Sequence, residues 1–188
     1  MRKLVVFNNV TLDGYFTDAD GDFRWAHEGG DDAEFGSFVA ENAREGGELL
    51  FGRITYELMA AYWPTATAMT NDPIVAERMN KMPKVVFSRS LGEASWSNTK
   101  LIRGDLVSEV QRIKKSPGEG IAILGSGSIV AQLAPHGLID EYQFVVNPVA
   151  LGRGRTIFED VKPRLDLKLA SSRAFRNGKV FLRYAPAM

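Results

Sequence analysis

Leu49-Leu50-Phe51-Gly52-Arg53-Ile54-Thr55-Tyr56-Glu57 runs from an apolar strand through a glycine into a helix that opens with Arg and Thr. The first amides of a helix are unpaired and carry the positive end of its dipole, so an anion can sit there. Thr55 would donate to it and Arg53 would neutralise it. Two further segments end in the same way. Val85-Val86-Phe87-Ser88-Arg89-Ser90 and Ile121-Ala122-Ile123-Leu124-Gly125-Ser126-Gly127-Ser128 are apolar strands closing on small polar or basic residues. Open α/β sheets place nucleotides at the C-terminal edge of successive parallel strands, so the three strand ends are expected to converge on one crevice.

The order of these elements resembles the dihydrofolate reductase fold: Gly-Arg-x-Thr, then a strand ending in Ser-Arg, then a strand ending in Gly-x-Gly before a helix. The branch it is most similar to is the reductase domain of the bacterial riboflavin pathway, the RibD C-terminal domain. Thr11-Leu12-Asp13-Gly14-Tyr15 after the first strand supports that branch. So does Gly137-Leu138-Ile139-Asp140-Glu141 followed by Val145-Val146-Asn147-Pro148-Val149-Ala150-Leu151-Gly152-Arg153-Gly154. The resemblance spans nearly the whole chain and implies a single three-layer α/β domain over residues 1–188, with a mixed, mostly parallel sheet flanked by helices.

Composition narrows the field. With 188 residues, 45% of them apolar, the chain can bury a sizeable core as one domain. Lysine plus arginine balance aspartate plus glutamate at 23 each, so nothing points to a nucleic-acid or anionic-membrane surface. The absence of cysteine excludes disulfides, thiol catalysis and Cys-based metal sites. It also removes the zinc deaminase that often accompanies the riboflavin reductase domain, leaving only the reductase half. The first strand begins near residue 3 with no leader before it, and no apolar run reaches the roughly 18 residues of a membrane span. A cytoplasmic protein is expected.

Along the chain, residues 3–10 read as a buried strand. Asp18-Ala19-Asp20-Gly21-Asp22 resembles the start of a calcium loop, but Gly29 stands where the bidentate Glu belongs, so it reads as a solvated turn. Asp31-Asp32-Ala33-Glu34 looks like a capping box with Asp31 as N-cap and Glu34 reaching back, followed by Phe35, Phe38, Val39 and Ala43 at helical spacing. Helices are predicted from about Ile54 to just before Trp63-Pro64, after Asp72-Pro73, after Asp105 and after Gly125–Ser128. Strands are predicted at Asp140–Pro148, Leu167–Phe175 and Lys179–Tyr184. Asn177-Gly178 should join the last two through a two-residue turn. This pattern gives a sheet that is parallel in its middle and antiparallel at one edge.

Several chemistries fail on spacing. Gly125-Ser126-Gly127-Ser128 lacks the third glycine of a Rossmann fingerprint, since Val130 holds that place, and no acidic residue falls about 20 positions on. His27 and His136 lack partners at metal spacing, and no Gly-x-Ser-x-Gly elbow occurs, so neither a metal site nor a serine hydrolase is expected. In the resembled family the Gly125–Ser126 position carries two glycines against the cofactor pyrophosphate; here the second is a serine.

The resemblance implies a cofactor site made of Gly52, Arg53, Thr55, Ser88, Arg89, Gly125, Ser126, Gly127 and Ser128. Guanidinium forks suit phosphate, so Arg53 and Arg89 with Ser88 favour NADPH over NADH through the 2′-phosphate. It also implies a substrate pocket between the Thr11–Tyr15 loop, the helix after Asp31 and the loop near Asn147–Gly154. Asp31 stands four residues before Phe35, so both face one side of a helix, as a similar pair does toward pterin in dihydrofolate reductase. Asp32 could fill the role of either Asp31 or the cap. Candidate catalytic carboxylates are therefore Asp31, Asp32 and Asp13, with Thr11, Trp25, Phe35 and Asn147 toward substrate.

The resulting expectation is an NADPH-dependent reductase acting on a small heterocycle, most like a ribosylaminopyrimidine. Its rivals are a folate or pterin reductase and a non-catalytic dinucleotide-binding protein. A homodimer is also implied, and Val180, Leu182 and Tyr184 in the terminal hairpin offer an apolar edge for it.

Overall fold

The eight residues of β1 (Leu4–Thr11) lie in the interior of an eight-stranded sheet, their backbone paired on both flanks by parallel strands and their side chains alternating between buried and half-buried. A computed structural model of the chain describes residues 1–27, 32–45, 47–162 and 164–187. In chain order β1 is followed by β2 (Tyr15–Thr17), α1 (Ala33–Glu45), β3 (Glu48–Gly52), α2 (Arg53–Tyr62), α3 (Ala66–Asn71) and α4 (Pro73–Lys81). Then come β4 (Lys84–Phe87), β5 (Thr99–Ile102), α5 (Leu106–Lys115), β6 (Ile121–Leu124) and α6 (Gly127–Leu133). The chain ends with β7 (Glu141–Asn147), β8 (Arg155–Thr156), β9 (Leu167–Ala174) and β10 (Val180–Pro186).

The sheet order is β5-β4-β3-β6-β1-β7-β10-β9. All neighbours from β5 to β7 run parallel, and β10 runs against both β7 and β9. The mixed sheet expected from the sequence is therefore present, with its antiparallel hairpin at one edge. No helix among the described residues is long and apolar enough to cross a membrane, and none of their His, Asp and Glu side chains group as metal ligands would.

Strand alternation divides the apolar residues between two cores. Leu4, Val6, Ile121 and Ile123 pack against Val110 of α5 and Val130 and Leu133 of α6 on one face. Leu49, Phe51 and Val86 pack against Tyr56 of α2, Met79 of α4 and Trp96 on the other. Each such fully buried side chain contributes roughly 1.5–3 kcal/mol. Some buried residues are polar, and Lys84 is the largest of them among the fully buried. Lys84, 1% exposed, donates from Nζ to the carbonyls of Met79, Asn80 and Met82 at 2.8, 3.2 and 2.7 Å, closing the C-terminal end of α4. Its ammonium also stands 4.4 Å from the centre of the Trp96 ring.

Three local expectations are corrected. The hairpin turn is a three-residue loop: Gly178 N–H reaches Phe175 O at 3.1 Å, Phe175 N–H reaches Lys179 O at 2.9 Å, and Gly178 sits at φ +83°. Asn177 is held from outside, because its N–H donates to Asp32 Oδ2 at 3.0 Å. The N-cap of α1 is Asp32, whose Oδ1 accepts from Glu34 and Phe35 N–H at 2.9 and 3.1 Å, and the Glu34 carboxylate pairs with Arg173. Asp31 lies outside the described residues. The chain also forms α3, capped by Thr65, and a β2–β8 ribbon, which short segments without periodicity did not announce.

Candidate nucleotide cleft and the substrate side

The C-terminal ends of β3, β4 and β6 open onto a cleft of about 500 Å³. Gly52, Arg53 and Thr55 line it from the β3–α2 turn, Ser88 and Arg89 from the end of β4, and Ser126, Gly127 and Ser128 from the start of α6. The three strand ends singled out by sequence thus meet in one place. Gly125 stands behind them. At φ +55°, a Cβ there would lie 2.8 Å from Thr55 Oγ1, so the position requires glycine on two counts.

Ser126 plays a part that its place in the turn did not foretell. Its hydroxyl donates to Leu124 O at 2.9 Å and accepts from Gly52 N–H at 3.0 Å. Its own N–H goes to Thr55 Oγ1 at 3.1 Å. The Gly52 and Ser126 amides are therefore spent within the protein and not offered to an anion, while Thr55 keeps its hydroxyl hydrogen to donate. Ser126 also sits at φ +58°, ψ +48°, a left-handed conformation unusual for a residue with a Cβ.

The cleft is cationic. Arg103 and Arg155 join Arg53 and Arg89 on its walls, against one carboxylate, Asp105. Asp105 caps α5 by accepting from Ser108 Oγ and N–H at 2.7 and 2.9 Å, and these bonds hold its carboxyl below the usual range. Arg53 rests on Glu57 at 2.8 Å as an exposed i,i+4 pair, worth only about 0.2–0.5 kcal/mol and so readily exchanged for a phosphate. Arg103 donates to Gly92 O at 2.8 Å and braces the turn that carries Arg89. Ser88 Oγ accepts from the N–H groups of Ser90 and Leu91 at 3.1 and 2.9 Å and shares a long 3.5 Å hydroxyl bond with Ser90 Oγ, which a ligand oxygen can replace. Ile54 and Leu58 add an apolar wall. Charged forks, hydroxyl donors and apolar side chains together fit a phosphorylated nucleotide.

The substrate-side candidates form two groups. In the first, Thr11, 1% exposed, donates from Oγ1 to Asp13 Oδ1 at 2.6 Å, and Asp13 accepts from Leu151 N–H at 3.0 Å and Gly152 N–H at 2.7 Å. The Thr11 bond first, then the Gly152 bond, hold the Asp13 carboxyl low. That environment keeps it ionised and makes it a loop anchor. Asn147 is buried beside them, its amide donating to Val145 O, Val10 O and Asn9 Oδ1 at 3.0–3.2 Å, its Oδ1 unpartnered.

In the second group, Asp32 accepts three backbone amides, the Phe35 bond foremost in lowering its carboxyl. Phe35 packs edge-on against Phe175, ring centres 5.1 Å apart. Lys179, 3% exposed, lies 5.0 Å from the Phe35 ring and donates to Ala26 O at 2.6 Å. Trp25 is buried with its indole N–H unpartnered. Among the described residues no hydrogen bond joins the two groups. Asp13 and Asp32 are thus both committed to backbone, which sequence spacing could not show. Arg103, Arg155 and Lys179 were missed; the only sequence trace of Arg155 is the glycine before it.

The family model for the RibD C-terminal domain matches residues 2–181. The chain belongs to the RibD C-terminal domain family. It is 30% identical over 97% of its length to the Bacillus subtilis protein YyaP, itself uncharacterized, covering 94% of that protein. Its fold matches a Shewanella sp. PV-4 protein whose assignment to riboflavin biosynthesis is itself provisional, with a TM-score of 0.74, 19% identity and 99% of both chains covered. It also matches the deaminase/5-amino-6-(5-phosphoribosylamino)uracil reductase of Thermotoga maritima, with a TM-score of 0.68 at 16% identity over 99% of this chain and 57% of that one. Dihydrofolate reductase of Enterococcus faecalis, solved with NADP(H), gives 0.62 at 12% identity over 99% and 97%. This member of the RibD C-terminal domain family therefore has a dihydrofolate-reductase-like fold, and family and fold together point to a reductase.

Proposed function

We propose that the chain is an NADPH-dependent reductase that transfers hydride to a small heterocycle of the ribosylaminopyrimidine kind. The observation that carries this reading is the cleft at the ends of β3, β4 and β6, where arginines meet serine hydroxyls beside an apolar wall. Arg53, Ser88 and Arg89 would hold the 2′-phosphate, and Ile54 and Leu58 would face the adenine. Bound there, a nicotinamide supplies the hydride. The protein's own residues orient the ring, fix the loops on the substrate side through Asp13 and Asp32, and exclude water.

One observation favours a second reading, nucleotide binding without turnover. Both described candidate carboxylates are saturated with hydrogen bonds and held ionised, so neither is poised to deliver a proton. A fluorescence titration with NADPH, followed by oxidation assays across pyrimidine, pterin and folate substrates, separates these readings. Tight NADPH binding with turnover of an aminopyrimidine is the expected result. Binding without any turnover would leave the second reading standing, turnover of folate alone would make the protein a folate reductase, and no NADPH binding would reject the proposal.

We also propose a homodimer. The strand carrying Val180, Leu182 and Tyr184, β10, is not the edge expected from the sequence, because β7 and β9 pair with it on both sides; the edge is β9, whose side chains are almost all exposed, Leu169 among them, and which is open to pairing by a second copy. Sedimentation at micromolar concentration should give twice the 20.8 kDa chain; a single species at chain mass would exclude it.

A further inference from the structure

We propose that Arg155 grips the pyrophosphate of the dinucleotide, from the opposite side of the β6 turn to Arg53 and Arg89; the proposal rests on the dinucleotide reading of the cleft. Arg155 lines the cleft and is exposed, and among the described residues it has no ion pair. Its backbone is nonetheless fixed. β8 pairs with β2 through Thr17↔Arg155 and Tyr15↔Thr156. Just before it, Gly154 at φ +156° passes so close to β2 that a Cβ would lie 2.2 Å from Thr17 O. Just after it, Ile157 is 3% exposed in the core, and Phe158 packs on Tyr142 and Phe144 with ring centres 5.7 and 5.8 Å apart. Upstream, the Asp13 carboxylate holds the Leu151 and Gly152 amides.

This ribbon lies against the β6 turn. A Cβ on Gly127 would meet Phe16 at 3.6 Å and Thr156 O at 3.7 Å, so Arg155 is carried on the strand that abuts that turn. In the sheet, β3 and β6 stand between β4, which leads to Arg89, and β1, which leads into the ribbon. At about 4.8 Å per strand, β4 and β1 stand roughly 14 Å apart, so the two cationic ends approach the cleft from different sides. A dinucleotide, with a terminal ribose phosphate and a bridging pyrophosphate, presents an anionic group to each. Because the pyrophosphate is common to NADPH and NADH, Arg155 sets affinity for both and discriminates between neither.

The test is calorimetric titration of wild type, Arg155→Ala, Arg155→Lys and Arg89→Ala with NADPH, NADH and 2′-AMP, with thermal melting of each variant. Losing one charge-assisted grip corresponds to roughly ten- to a hundredfold in affinity. Arg155→Ala should lose that factor for both NADPH and NADH, keep wild-type affinity for 2′-AMP and melt normally, with Arg155→Lys in between. Arg89→Ala should weaken NADPH and 2′-AMP but spare NADH. Unchanged NADPH affinity in Arg155→Ala, or an equal loss for 2′-AMP, would overturn the assignment. If wild type binds neither NADPH nor 2′-AMP, the dinucleotide reading itself fails and takes this proposal with it.

Discussion

Ser126 and Gly52 are joined across the mouth of the sheet, the hydroxyl of the first accepting the amide hydrogen of the second at 3.0 Å. The bond welds the turn after β6 to the turn after β3, and it explains how a serine is accommodated where the resembled family has glycine: the side chain is directed into the protein, to Gly52 and Leu124. Ser126→Ala should cost about 1–3 kcal/mol by leaving both partners unpaired. Ser126→Gly loses the same bonds but relieves a left-handed strain of about 1–2 kcal/mol, so it should be milder. Thermal melting should rank wild type above Ser126→Gly above Ser126→Ala. An alanine variant as stable as wild type would show that the weld contributes nothing.

Cofactor choice should depend on Arg53 and Arg89. Removing either takes away charge-assisted bonds of about 1.5–3 kcal/mol, a loss of roughly ten- to a hundredfold in NADPH affinity with NADH hardly changed. Equal losses for both nucleotides would remove these residues from the 2′-phosphate.

Asp32 ties the start of α1 to the hairpin turn, so Asp32→Ala should lower Tm by several degrees, and Asp32→Asn by less because an oxygen remains for the cap. The bonds lower the Asp32 carboxyl, so its stabilisation is complete above the unfolded value near 3.9 and is lost as pH falls through the folded one. Melting curves between pH 3 and 6 should show wild type losing its advantage over Asp32→Asn only at the acid end. A constant gap across that range would mean that the carboxylate charge is not what matters.

How far this architecture could be read from the chain depended on how local the cause was. The strands ending at Gly52, Ser88 and Gly125 were legible because apolar runs followed by glycine or serine leave few alternatives. Asp105 was legible as a cap for the same reason. The roles of Ser126, Asp13 and Asp32 were not, since each answers a backbone amide 74 or more positions away. Arg155 was hidden because β8 is two residues long and exists only against β2.

Lys84 was equally illegible, and it yields a pH effect of the same direction in the alkaline range. Burial pushes its ammonium down to about 8, below the unfolded value of about 10.4. Between these values the unfolded chain binds more protons, so stability from this group rises with pH, by at most about 1.4 kcal/mol per unit. Chemical denaturation from pH 8 to 10 should show wild type gaining on Lys84→Met, whose own Tm at pH 7 should fall because three carbonyls at the end of α4 lose their donor. Parallel stability profiles for the two proteins would contradict the shift.

The placement of β1 bears on how the molecule is made. β1 is flanked by β6 and β7, which follow it by more than 100 residues, with Leu4 beside Ile121 and Val5 beside Glu141. A nascent chain emerging from the ribosome therefore holds this strand without either neighbour until that long stretch has been translated, and pairings of such long range close slowly. Until β6 and β7 arrive, the apolar stretch Leu4–Phe7 is exposed to chaperones and to other chains.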